Sequence, residues 1–445
     1  MRGILKKELA IFAMLLSFAV VFSQNTQDVY SDVVNYLDYL TVRTSSITDA
    51  VISGRSYGDN QGNVYGEFIK FDQNLSASRQ ITIDNFGVND FCVLDGCVYF
   101  CGGTRFGYFN ESDFNNTAVF NATTFSLPVD FVSKIKVYID EATQIVTVAI
   151  VGGGYNNNCS DAYIVDESVL IVGQINGSTF DYCKYVFPET NLCYYSFNVH
   201  FQDVVLTDEY IVAVGVETLT NQNIILSRIA KSNLSTMDYF IFTDPANSAV
   251  ESPTVLESLD GNNVAFSSLY MDVSNSKFYA RVYFCDMNTF ANQCIQDVLL
   301  PQKTMPDDLL FLPFDSTLLL LLTSYDYPGI GDVSSTVYYL DCNANSSYVA
   351  DFMYDENLRL YSLDRLPDSH FVVGGKNLSD MRHYVVRDKQ AGAVSQCHRY
   401  ATTGVSIEPI ITGIQNTAVA TEDNAPQKIT KCTPSDIVLY SDCSE

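Results

Sequence analysis

The chain has no tryptophan, only four histidines and few basic residues: 25 Lys and Arg stand against 52 Asp and Glu, for a net charge of −27. Each shortage excludes a class of function. So few histidines (His200, His370, His383 and His398) leave little for imidazole-based metal sites. His370 and His383 flank one loop in alternating sequence, where satisfied or exposed faces are the simpler reading. There is no GxSxG elbow and no HExxH helix. The acid excess repels phosphate backbones and anionic lipid heads, so nucleic acid is not an expected partner. A long apolar run is missing as well, except near the N-terminus; Leu318–Leu322 is far too short to cross a bilayer and reads as a buried strand.

What the chain does have begins with that N-terminal run. Arg2, Lys6 and Lys7 precede the apolar stretch from Leu9 to Phe22, and Ser23 offers a cleavage point before Gln24. Residues 1–23 are read as a secretory signal peptide, leaving no membrane span after cleavage, with an uncleaved anchor as the alternative. Twelve cysteines behind such a segment point to an oxidising compartment and disulfides. Cys92, Cys97 and Cys101 crowd one stretch but lack the CxxC pairs and histidine of a zinc site. Nine N-x-S/T sequons, at Asn74, Asn110, Asn115, Asn121, Asn158, Asn176, Asn233, Asn345 and Asn377, are candidate glycosylation positions. The expected location is therefore secreted or at the cell surface.

The stretch IVTVAIVGGGY (145–155) looks like the start of a dinucleotide turn. The third glycine of that fingerprint is replaced by Asn157, and turn residues followed by another apolar segment stand where a helix is required. No cofactor is expected. The segment instead belongs to a series: AVISG (50–54), VYFCGG (98–103), VAIVGGG (148–154), IVAVG (211–215), NVAFSS (263–268), LLLLLTS (318–324) and HFVVGG (370–375). The steps are roughly 50 to 60 residues, a period that signals a propeller or solenoid.

The flanks repeat too. An alternating stretch and a turn come before most of these segments: FCVLDG (91–96), KVYIDEATQ (136–144), VVLTDE (204–209), LESLDGN (256–262), LFLPFDS (310–316) and LYSLDRLPDS (360–369). After each come a polar loop and a second alternating stretch such as NIILSRIA (223–230) or FYARVYFCD (278–286), then one more strand. Four short antiparallel strands per unit predict an all-β chain of four-stranded blades. Their nearly all-apolar second strands fit sheets covered on both faces. Seven units fit seven blades, with six or eight as alternatives. The expected organisation is a signal peptide (1–23), a lead-in (24–37), the propeller (38–402) and a tail (403–445).

The Gly-Gly pairs after the second strand (Gly102–Gly103, Gly153–Gly154 and Gly374–Gly375) are similar to Kelch and delta-60-type repeat patterns. The likeness covers about residues 38–402 and implies a β-propeller. Kelch, WD40 and sialidase Asp-box signatures carry tryptophan, which this chain does not.

In that frame Cys285 and Cys294 fall on the third and fourth strands of one unit and form a candidate disulfide. Cys92 could reach Cys97 across a turn, or Cys101 could take one of them; Cys432 and Cys443 bracket a tail segment and could pair locally or tie to Cys397 or Cys342. A ligand is expected where propellers bind, on loops at a channel end. The loops after the second strands supply Arg55, Tyr57, Asp59, Arg105, Tyr155, Tyr270, Asp272, Tyr325 and Asp326, suited to polar or carbohydrate ligands. Calcium at Asp59–Asn63 lacks EF-hand spacing and is a minor alternative. The function expected is a binding or interaction module for carbohydrate or protein. The alternatives are an extracellular glycan hydrolase or lyase, which would need two or three channel carboxylates, and a surface-coat or matrix protein.

Overall fold

The computed structural model describes residues 28–33, 40–48, 50–58, 64–72, 77–115, 122–140, 142–155, 165–187, 199–217, 224–242, 248–272, 277–300, 304–313, 316–324, 334–341, 348–353, 358–367, 371–377, 382–388, 415–418 and 438–440. The signal-peptide segment, the 59–63 loop, Tyr325, Asp326, Cys432 and Cys443 lie outside them. Among the described residues no helix is long and apolar enough to cross a membrane.

The described strands form seven antiparallel sheets. Six contain four consecutive strands each, numbered here as sheet I (40–84), II (90–126), III (131–187), IV (199–242), V (248–300) and VI (304–353). Sheet VII is composite: its first three strands span 358–388, and Asp28–Val33, in the expected lead-in, pairs antiparallel with Arg382–Asp388. Two tail strands add to outer edges, Gln415–Ala418 on sheet IV and Val438–Tyr440 on sheet VII. The first strands of successive sheets touch one another, and the first strand of sheet VII touches that of sheet I, which closes a ring. This is a β-propeller of four-stranded antiparallel blades.

The burial pattern shows why the sequence adopts it. A strand alternates its side chains between two faces, so a strand apolar at every position must be covered on both. In LLLLLTS the leucines divide accordingly. Leu319 and Leu321 pack against sheet VII, while Leu318, Leu320 and Leu322 pack against sheet V. Val148 and Ile150 likewise face sheet II, and Ala149 and Val151 face sheet IV. Seven apolar clusters fill the seven sheet-to-sheet interfaces. Fully burying one such leucine is worth about 1.5–3 kcal/mol, so the second strands carry much of the ring's cohesion.

The glycines differ from expectation in one respect. Gly152, Gly153 and Gly154 lie inside a strand, Val146–Tyr155, and do not mark its end. Gly152 and Gly153 pair beside a bulge in the neighbouring first strand, between Val132 and Lys134. A Cβ on Gly152 would stand 2.2 Å from the Phe131 carbonyl oxygen, and one on Gly375 would stand 2.3 Å from that of Arg359. Glycine is required there for close backbone approach.

The expected disulfides within the propeller are absent, for reasons of register. Cys92, Cys97, Cys101 and Cys285 are free thiols. Phe284, not Cys285, stands opposite Cys294, and a bulge shifts Cys285 to Asn292. Cys92 pairs with Tyr99, and Cys97 with Leu94, so Cys97 and Cys101 are both diagonal neighbours of Cys92. Diagonal Cα atoms lie roughly 7–8 Å apart, beyond the usual span of a disulfide.

Candidate functional site

The bulges determine what reaches the propeller axis. One polar residue per sheet occupies an equivalent place on the first strand: Thr41, Asp90, Lys134, Asp203, Thr254, Asp308 and Ser362. In five sheets this residue directly follows the bulge. An extra residue re-aims the side chains after it, and in sheets III, IV and VII a second-strand glycine pairs beside the bulge, so that glycine, bulge and polar group act together there.

Most of these groups tie neighbouring sheets together. Asp90 accepts from the Ile135 N–H of sheet III at 3.1 Å and from Arg43 of sheet I at 2.9 Å. Asp203 accepts from its neighbour Val204 at 2.8 Å and from Leu256 of sheet V at 3.0 Å. Asp308 accepts from Leu309 at 2.9 Å and from Leu363 of sheet VII at 2.7 Å. Ser362 accepts from the Val42 N–H of sheet I at 3.4 Å, and Asp364 accepts from that of Thr44. Carboxylates with two N–H donors are well solvated by the protein itself, which permits Asp90 at 0% exposure and Asp203 at 4%.

Between these clamps lies a cavity of about 190 Å³, and every sheet contributes to its wall. Its charged lining comprises Arg43, Lys134 and Lys136 together with Asp203, Glu257, Asp308 and Asp364. A single water needs roughly 10–15 Å³ of such space, so the cavity suits a water cluster or a small polar ligand. Burial works against charge on Lys134, but Asp90, Asp203 and Asp308 outweigh it and hold the ammonium above its ordinary pKa. Arg43 is held protonated in the same way by Asp90 and Asp364. Glu257 goes the other way. Burial pushes its carboxyl up to about 8 against the pull of Lys136, and among the described residues the only N–H it accepts from is that of Phe311, at 3.4 Å. Among the described residues no three of His, Cys, Asp and Glu assemble as a metal-ligand set.

Three of the expected rim residues are placed away from this cavity. Arg55 is buried at 3% exposure and paired with Glu67, which also accepts from Gln80, making a polar row across three strands of sheet I. Arg105 donates to the Asn85 carbonyl and covers the Phe86 ring. Tyr270 is covered by the Arg281 guanidinium, 3.9 Å from its ring centre. Tyr57, Tyr155 and Asp272 occupy the final turnings of second strands, and Asp59, Tyr325 and Asp326 are outside the described residues. Arg55, Arg105 and Tyr270 are engaged within the protein and do not line the axial cavity.

Sequence reasoning missed the axial set because it looked at loops. The signal was a charged residue at the entrance to the apolar part of a first strand: Asp90 directly before FCVLDG, Asp203 directly before VVLTDE, and Lys134 and Asp308 one residue ahead of KVYID and LFLPF.

No family model matches the chain, and no curated protein matches it by sequence, so the likeness to Kelch-type repeats rests on its glycines alone. Several solved structures are similar at low identity. A subtype N11 neuraminidase-like protein of A/flat-faced bat/Peru/033/2010 (H18N11) matches at 10% identity and a TM-score of 0.39, over 70% of this chain and 89% of that one. The α-L-arabinofuranosidase arb93a from Fusarium graminearum matches at 9% and 0.41, over 82% and 98%. The Synechocystis apocarotenoid oxygenase matches at 7% and 0.41, over 88% and 93%. Nothing about this chain's chemistry follows from likenesses this distant.

Proposed function

We propose that this protein is a secreted or cell-surface, seven-bladed propeller that binds a small polar ligand, of carbohydrate type, in its axial cavity without turning it over. The observation that carries this reading is the use made of the axial carboxylates. In Asp203 and in Asp308 one oxygen accepts the N–H of the next residue on its own strand, and the other accepts an N–H of the neighbouring sheet. Acids spent in that way hold a polar pocket open and rigid, but they are poor nucleophiles or bases. Export is supported by the signal-like N-terminus and by four exposed sequon asparagines, Asn110, Asn115, Asn176 and Asn233. The test is a glycan-array and calorimetric screen of the purified protein, with product analysis on the same samples. Saturable binding without product supports the proposal, and no binding to any glycan overturns it. Enzymatic removal of N-glycans from the secreted protein should lower its apparent mass.

One observation favours a second reading, glycan hydrolysis. Glu257 is the cavity carboxyl least occupied by the backbone, and at about 8 it holds a proton at neutral pH, as a general acid must. Polysaccharide cleavage abolished by Glu257→Gln would establish that reading in place of the first.

A further inference from the structure

We infer that the ligand of the axial cavity carries an anionic group, seated between Lys134 and Lys136, and is therefore an acidic sugar or a similar small hydroxylated carboxylate. The inference rests on the binding reading above and narrows it. Its basis is the hydrogen-bonding capacity left in the cavity wall. Each oxygen of Asp203 and of Asp308 already accepts one backbone N–H, and Asp364 accepts from Thr44. Arg43 is spent on Asp90, Ser362 and the carbonyls of Val42 and Phe91. Lys134 and Lys136 both line the cavity, yet among the described residues neither ammonium makes a hydrogen bond or an ion pair within 4.0 Å. These two ammonium groups are donors that the cavity wall leaves to a ligand.

The two lysines sit two residues apart on one strand, Phe131–Ile139, in unbroken register with Val151 and Ala149. Same-face neighbours on a strand are about 6.6 Å apart at Cα, a spacing that lets one carboxylate accept from both ammonium groups. Two charge-assisted bonds would be formed where a neutral hydroxyl offers weaker ones. The hydroxyls of the same ligand would meet the protonated Glu257, which can both donate and accept. The groups facing Glu257 are Lys136 of sheet III, Asp203 of sheet IV and Asp308 of sheet VI, together with the Phe311 N–H. Ionisation of Glu257 would add a negative charge beside the seat, so the affinity for an anion should fall above about pH 8 while that for a neutral sugar should not.

The test is calorimetric titration of the full secreted protein with glucuronate and galacturonate, against glucose, galactose and glucosamine. The uronates are expected to bind about tenfold tighter than their parent sugars, the factor that one added charged hydrogen bond supplies. Lys136→Met should bring that ratio to about one. Lys134→Arg, which keeps the charge among Asp90, Asp203 and Asp308, should retain the preference and guards against a folding defect. Equal or tighter binding of the neutral sugars or of glucosamine overturns the inference alone, as does a uronate preference that survives Lys136→Met. Failure of every sugar to bind overturns the axial binding reading itself.

Discussion

Replacing Asp308 with Ala removes one clamp between sheets VI and VII. Its two oxygens hold the Leu309 and Leu363 N–H groups at 2.9 and 2.7 Å, and the residue is only 8% exposed. Each buried donor left without an acceptor costs about 1–3 kcal/mol. Against that stands the desolvation of the carboxylate itself, which the variant no longer bears. The net expectation is about 3 kcal/mol of lost stability, centred on one interface. Asp308→Asn should do nearly as much harm, because its amide NH2 must face one of the two N–H donors. The direct assay is amide hydrogen exchange: the Leu363 N–H should exchange about 100-fold faster, the factor that corresponds to about 3 kcal/mol, with a matching fall in the denaturation midpoint. A change below about 0.5 kcal/mol, with Leu363 protection intact, would refute the clamp reasoning.

Three further outcomes follow from particular residues. Gly152→Val places side-chain carbon against the Phe131 carbonyl, where a Cβ would stand at 2.2 Å, and should cost about 2–4 kcal/mol or prevent folding; circular dichroism melting of Gly152→Val beside Gly103→Ala, a position with nothing within 4 Å but a φ of +54°, separates steric approach from backbone conformation. Burial pushes the Cys92 thiol up to about 12 and raises those of Cys101 and Cys285, so all three should resist alkylation in the native protein and react fully once unfolded, and a mass-mapped disulfide between any two of them would contradict the register. Burial also lifts Glu257 to about 8 and Asp307 to about 7; the folded state then binds more protons than the unfolded one above the ordinary carboxylate range, so stability should fall as pH rises from about 5 to 8, and Glu257→Gln should flatten that slope in urea titrations.

The fold was legible in the sequence because its signals are periodic. Runs such as Leu318–Leu322 and Val148–Val151 announce strands covered on both faces, and Asp95-Gly96 takes the positive φ values a tight hairpin needs. The glycines were legible as a repeat but not as a cause, since the carbonyl that approaches Gly152 comes from a bulge that no residue type marks. The site was harder. Arg55 and Tyr270 have the chemistry of ligand groups, but Glu67 and Arg281 engage them. Asp203 and Asp308 look like ordinary acids in a chain with 52 of them. They become a ring only when seven sheets bring equivalent positions to one axis, and no local spacing encodes that convergence. The free thiols have a similar origin, because the offset of Cys285 from Cys294 depends on one bulge.

The most direct test of the axial binding account is saturation-transfer NMR on one sample, following bound sugar and released product in the same spectra over time. The account predicts transfer to an intact uronate, competed by excess unlabelled ligand, with no product signal after prolonged incubation. Steady appearance of product that Glu257→Gln abolishes, or no transfer to any sugar, would contradict it.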